Sequence, residues 1–296
     1  MKPSISSRRH APTVADAATI PFSLDDALAV IRRRTALVPR SAIVLGSGLG
    51  VLAEGTAWEA EIPYREIPGI PRSSVAGHAG RLLLGRWAGR PVAIAKGRSH
   101  LYEGCAAEVA TRMIRLLAAL GSKALILTNA SGGIAARMAP GTLVLIEDQV
   151  DFQWRSPLRG SGEPGAPGAG EIGARGLTRR PVYDAELMTK ATRAAAVAGV
   201  TLERGVLGVM LGPSYETPAE IEMLERLGAD VVCMSTGAES ALAASLGLPC
   251  VAVSCVTNWA AGRSAARLSH DDVTRSVAAA AAPLKSMLER LVMGIA

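Results

Sequence analysis

Ala124-Leu125-Ile126-Leu127-Thr128-Asn129-Ala130-Ser131-Gly132-Gly133 is the stretch that decides the fold. Its first half, Ala124–Thr128, is apolar without alternation, which suits a strand covered on both faces. Its second half is small, hydroxylated and glycine-rich, so the strand end offers backbone amides to a ligand. The pattern recurs along the chain. Strands are expected at Ala42–Leu45, Arg81–Trp87, Val92–Lys96, Leu143–Glu147, Val206–Leu211, Val231–Met234 and Val251–Val256. Ala/Leu stretches at helical spacing fall at 24–35, 105–120, 185–198, 218–227, 237–246 and 270–293. Thr217–Glu220, Thr236–Glu239 and Ser269–Asp272 read as capping boxes, and Pro218 sits where a first helical residue belongs. Strands alternating with helices imply an α/β fold, a mostly parallel or mixed sheet sandwiched by helices.

The chain of 296 residues is long enough for one large domain. Residues 1–22 read as a frayed polar tail, 23–296 as a single domain, and the Gly/Pro/Ala-rich segment 160–176 as a mobile loop within it. Aromatics make up only 3% of the chain, so the core must be built from Ala, Val, Leu and Ile. The net charge of +6 is spread over small groups such as Arg32–Arg34 and Arg179–Arg180, without interleaved aromatics. That favours a solvated basic surface over a nucleic-acid site. The four cysteines lie in apolar stretches with no CxxC spacing, as reduced thiols of a cytoplasmic protein do. No apolar run reaches the roughly 18 residues of a membrane helix.

Chemistry-bearing residues cluster where apolar runs end. Gly46-Ser47-Gly48-Leu49-Gly50 follows the first strand. It fails as a dinucleotide fingerprint, because Val51 holds the place of the last glycine and Glu66 precedes a Pro-Gly-Ile-Pro turn. Gly77-His78-Ala79-Gly80 reads as a turn whose lone histidine is, by itself, more readily structural than ligating. Lys96-Gly97-Arg98-Ser99-His100-Leu101-Tyr102-Glu103-Gly104 is richer. Arg98 offers a planar fork suited to phosphate, and Glu103 is near enough to orient His100. A solvated surface turn is the bland alternative. Gly212-Pro213-Ser214-Tyr215-Glu216-Thr217 and Met234-Ser235-Thr236-Gly237-Ala238-Glu239 each lie between a strand and a helix start, a natural anion site. Val256-Thr257-Asn258 ends the last strand, and His270 opens the last helix. No nucleophile–base triad, metal cluster or Walker loop stands among these motifs.

Taken in order, GSGLG, GHAG, GRSHLYEG, TNASGG, GPSYETPAE, MSTGAE and VTN resemble the trimeric purine nucleoside phosphorylases, over roughly residues 25–293. The resemblance implies a single α/β domain with a central mixed, partly barrel-like sheet surrounded by helices, assembled as a homotrimer. It implies phosphorolysis of inosine, guanosine and their 2′-deoxy forms, with inorganic phosphate as co-substrate and no cofactor, metal or membrane. Position by position, it assigns phosphate to Ser47, His78, Arg98, Ser99, His100, Ala130 and Ser235. It assigns the nucleoside to Tyr102, Tyr215, Glu216, Met234, Asn258 and His270, with His100, Glu216 and Asn258 as the catalytic residues.

There are departures. Relatives carry an aromatic near Arg175–Tyr183 that reaches a neighbouring subunit's site, whereas residues 175–181 here have none. Trp259 follows the key asparagine, and Gln149 and Asp151 replace a common His and Asn. The sister enzymes acting on 5′-methylthioadenosine are the nearest alternative, and Asn258, where they place Asp, argues against them. A silent nucleoside-binding protein is the other alternative; it would tolerate loss of Arg98, His100 or Asn258.

Overall fold

The computed structural model describes residues 21–72, 79–158, 181–264 and 270–295. The expected loop 160–176 and the Ser269–Asp272 cap lie outside the described residues, as do all but two residues of the expected tail. One of those two, Phe22, is no frayed end: it packs against the core, and the Arg112 guanidinium lies 5.3 Å from its ring centre.

Among the described residues, nine strands form one sheet in the order β2-β3-β4-β1-β5-β8-β7-β6-β9, and β9 also pairs with β5. They are β1 (Ser41–Leu45), β2 (Ala60–Pro63), β3 (Arg81–Trp87), β4 (Arg90–Lys96), β5 (Ala124–Gly133), β6 (Leu143–Asp151), β7 (Leu202–Val209), β8 (Val231–Cys233) and β9 (Cys250–Trp259). The extra pairing curls β5, β8, β7, β6 and β9 into a closed, barrel-like half. The sheet is mixed: β1 runs parallel to β4 and β5, while β8 and β6 pair antiparallel with β5 and β9.

Helices α1 (Leu24–Arg32), α3 (Arg112–Ala119) and α6 (Gly237–Ser245) contribute to one apolar cluster on the sheet. Helices α4 (Ala185–Ala198) and α7 (His270–Gly294) contribute to a second, with Leu187, Ala191, Leu284 and Leu288 buried. The short α2 (Ala107–Ala110) and α5 (Pro218–Arg226) complete the set described.

Most elements lie where the apolar pattern puts them, and the differences have physical causes. The expected helix 105–120 breaks at Thr111, whose Oγ1 donates to the Ala107 carbonyl (2.7 Å) and so competes with the helix ladder. Strand β2 was missed because it is short and ends in Pro63, which an edge strand tolerates. Strands β5 and β9 run beyond their apolar halves, through TNASGG and VTN, because barrel closure gives those residues partners. Gly133, at the end of β5, admits no side chain, since the turn that follows puts the Met138 carbonyl oxygen 1.9 Å from where a Cβ would stand.

Candidate active site

One cleft of about 230 Å³ opens where β1, β4, β5, β8 and β9 end. Ser47, Arg98, His100, Tyr102, Ala130, Tyr215, Glu216, Met234, Ser235 and Asn258 all line it. Three expected residues remain, of which only Ser99 is described with its side chain. Ser99 points away from this cleft into a smaller cavity behind it, a correction to its expected place at the anion. Successive residues of an extended strand end face opposite ways, and Arg98 and His100 take the cleft side. His78 lies outside the described residues, as does the side chain of His270, whose backbone opens α7.

Ser47 stands in the turn after β1, between Gly46 and Gly48. A Cβ on Gly46 would come within 2.8 Å of the Asn129 Cα and the Thr128 oxygen, so only glycine lets β1 end so close to β5. Arg98 follows β4 and is 5% exposed. Its Nη1 donates to Ser235 Oγ (2.9 Å) and Thr236 Oγ1 (3.4 Å), and its Nη2 to the carbonyls of Thr128 (2.8 Å) and Val44 (3.3 Å). Its Nε lies 3.3 Å from Glu239 Oε1. The guanidinium is thus a fixed part of the floor, held before any anion arrives.

Thr236 is the hub of that floor. It takes φ +77°, rare for a residue with a branched side chain, and its Oγ1 also accepts from Asn129 Nδ2 (2.9 Å). Asn129 Oδ1 in turn accepts from Ser254 Oγ (2.6 Å). This geometry overturns the expected Thr236–Glu239 capping box: Thr236 forms no side-chain cap, and Glu239 turns to Arg98 instead. The expected Thr217 box does form, and His100 opens a further, unexpected one. The His100 amide donates to Glu103 Oε1 (2.7 Å), with Nδ1 of the ring 3.4 Å from the same oxygen. Tyr102 stacks on the His100 ring at 4.8 Å, and burial pushes its phenol up to about 12, so it stays neutral.

Glu216 is buried at the cleft, and desolvation, backed by nearby Glu220, raises its carboxyl above the usual range despite a hydrogen bond from its own backbone. Asn258 is oriented by its neighbours: Thr257 Oγ1 donates to its Oδ1 (2.8 Å), and its Nδ2 donates to the Trp259 carbonyl (2.9 Å). One lone pair and one N–H of the amide remain for a ligand. The substituted Gln149 is structural, since its Oε1 accepts from Tyr183 (2.7 Å) and Ser240 (3.1 Å) and ties β6 to α6. Cys233 also lines the cleft, with its thiol pushed up to about 11 by burial and therefore unreactive. Among the described residues no three His, Cys, Asp or Glu converge as a metal would need. Chemically, the cleft joins a fixed cation and hydroxyls to a carboxyl and an amide that can read a polar ring.

A model of the phosphorylase superfamily matches residues 40–293. Purine nucleoside phosphorylase 1 of Bacillus subtilis (strain 168) is 38% identical over 250 residues, 84% of this chain and 90% of the relative. The purine nucleoside phosphorylase of Mycobacterium leprae is 37% identical over 89% of this chain and 92% of its own. The solved structure of Schistosoma mansoni purine nucleoside phosphorylase in complex with adenosine superposes with a TM-score of 0.79 at 31% identity, covering 92% of this chain and 97% of that one. The inosine complex of the Schistosoma mansoni enzyme gives 0.77 at 31% identity, over 91% and 95%.

Proposed function

Because the chain belongs to the phosphorylase superfamily, and within it to the purine nucleoside phosphorylases, we propose that its cleft splits inosine and guanosine with inorganic phosphate, releasing the free purine and ribose 1-phosphate. The observation that carries this reading is that one cleft holds both the Arg98–Ser235 anion pair and the Glu216 and Asn258 side chains. A phosphate oxygen attacks C1′ as the C1′–N9 bond breaks, and the bonding pair leaves on the purine. The ribose becomes oxocarbenium-like between them, and the phosphate dianion, held by Arg98, His100, Ser47 and Ser235, stabilises it electrostatically. Asn258 meets the departing base, accepting from a protonated N7 and donating to O6. Glu216 accepts from N1–H of a 6-oxopurine. No covalent intermediate and no cofactor are needed, since phosphate is both nucleophile and co-substrate.

The reading extends to assembly and compartment. A homotrimer of about 90 kDa, three times the 30.6 kDa chain, completes the site across a subunit contact. The buried free thiols suit a reducing cytoplasm, and no described helix is long and apolar enough to cross a membrane. The test is incubation with inosine or guanosine, with and without inorganic phosphate. Free base and ribose 1-phosphate are expected in equal amounts, and only when phosphate is present. Base release independent of phosphate would mark a hydrolase and overturn the reading.

A further inference from the structure

Behind the cleft, three buried polar atoms face a common small space. Ser99 Oγ, Gln153 Oε1 and Glu239 Oε2 have no hydrogen-bond partner among the described residues. Their residues line one cavity of about 20 Å³, and Ser99 and Glu239 also line an adjoining cavity of about 10 Å³. Such atoms are costly to leave unpaired, a carboxylate oxygen above all.

We propose that Glu239 is a positioning residue for Arg98, and that one internal water, shared with Ser99 and Gln153, holds its carboxylate in place. A single water needs roughly 10–15 Å³ and two to four polar partners, and the larger cavity meets both demands. The donors and acceptors match as well. Water gives one hydrogen to Glu239 Oε2 and one to Gln153 Oε1, and it receives one from the Ser99 hydroxyl.

The other carboxylate oxygen faces Arg98. Backbone carbonyls of Val44 and Thr128 hold the Nη2 corner of that guanidinium, and Glu239 Oε1 stands 3.3 Å from Nε. The hydrogen bonds at Nη2 and the Glu239 charge beside Nε, an ion-pair contact without hydrogen-bond geometry, together stop the fork from rolling, which leaves Nη1 directed at Ser235 and the cleft. Glu239 can reach because the left-handed turn at Thr236 starts α6 without the usual cap, so the glutamate is not drawn back to its own helix end.

The proposal rests on reading Arg98 as the phosphate ligand, and its test separates the two. Glu239→Asp keeps the charge but withdraws the carboxylate by one methylene. It is expected to raise the phosphate KM about tenfold while the inosine KM, at saturating phosphate, stays within about twofold. Glu239→Gln keeps the reach and removes a negative charge near the anion, so it is expected to retain more phosphate affinity than Glu239→Asp. Unchanged phosphate kinetics in Glu239→Asp, or a Gln variant worse than the Asp one, overturns the positioning role. Arg98→Ala is the control: if it too leaves phosphate kinetics unchanged, the phosphate reading itself has failed. Should Glu239→Asp not fold, Ser99→Val fills the cavity with methyl groups and is expected to give the same KM split more weakly; wild-type phosphate kinetics there overturn the water's part. In a crystal structure of the enzyme at about 1.5 Å, a water is expected about 2.6–3.2 Å from all three oxygens. A dry cavity, or an ion at the roughly 2.3–2.6 Å distances of a metal, overturns it.

Discussion

At Glu216 two influences oppose each other. Burial, the largest influence, and Glu220 disfavour a negative charge, while a hydrogen bond from its own backbone favours it, and burial wins. Folding therefore raises this pKa above 4.5. The contribution of this carboxyl to stability is fully present below that unfolded value and is lost as pH climbs through the raised one. Glu216→Gln is accordingly expected to melt higher than wild type at pH 7.5, with the gap closing below pH 4.5, and to lose inosine affinity at every pH. A variant that melts lower at neutral pH would contradict the burial argument. At Asn258 the question is which purine is read. Adenine presents a bare N1 lone pair to the Glu216 carboxylate, and its 6-amino group donates where Asn258 also donates. Adenosine is expected to be at least about 10³-fold poorer than inosine in kcat/KM, and Asn258→Asp to narrow that ratio. Equal wild-type rates on the two nucleosides would show the base pocket misread. Arg98, Glu216 and Asn258 were legible because each stands in a short motif at an apolar strand end. Asn129, Thr236, Gln153 and Glu239 were not legible as a floor, because their partners lie on distant elements and no local spacing announces them. Ser99 was misplaced for the same reason: a motif gives membership, not the side of the backbone on which a side chain stands.

Helix α5 follows Glu216 directly, so its first turn sets where the carboxyl stands. Thr217 Oγ1 accepts from the Glu220 amide (3.2 Å), Glu220 Oε2 accepts from the Thr217 amide (2.7 Å), and Pro218 fixes the backbone between them. Removing the cap costs about 1 kcal/mol in comparable helices. Thr217→Ala is therefore expected to lower the unfolding free energy by about that amount and to raise the inosine KM severalfold, with the phosphate KM unchanged, since Arg98 is held by other elements. Denaturant titration and steady-state kinetics check both halves; a change in phosphate KM alone would break the link between this cap and the base pocket. This helix start was readable because every signal in it is local. The Thr236 start was not, since it depends on Asn129 and Arg98 arriving from β5 and the end of β4. The ends of β5 and β9 escaped for a related reason. Polar and glycine residues read as loop until the barrel closes around them.

Closure of β5 onto β9 brings strand ends far apart in sequence to one rim, and the cleft exists only once the whole chain has folded. Just past the end of β6 the molecule carries an aromatic with no use for its own core. Trp154 is 79% exposed, edge-on to Phe152 at 5.8 Å, and sits at φ +55°, a conformation side chains rarely adopt without compensation. Tyr215, which lines the cleft, is itself 45% exposed. Large aromatics of this kind serve well as anchors at protein contacts, where burial returns about 2 kcal/mol or more for each. The segment 175–181 holds no aromatic, and Trp154 is the strongly exposed one within 150–158, free to serve at a contact between subunits. If it inserts across a subunit contact, assembly and nucleoside binding must fall together when it is removed. Wild-type enzyme is expected to scatter light as a trimer of about 90 kDa, three times 30.6 kDa. Trp154→Ala is expected to dissociate at micromolar concentration and to bind inosine about tenfold more weakly, with the loss partly recovered as enzyme concentration rises. Concentration dependence is the decisive feature, because a residue acting only within its own subunit would weaken binding equally at every dilution. A fully active wild-type monomer, or a Trp154→Ala trimer with unchanged inosine KM, would remove Trp154 from the site.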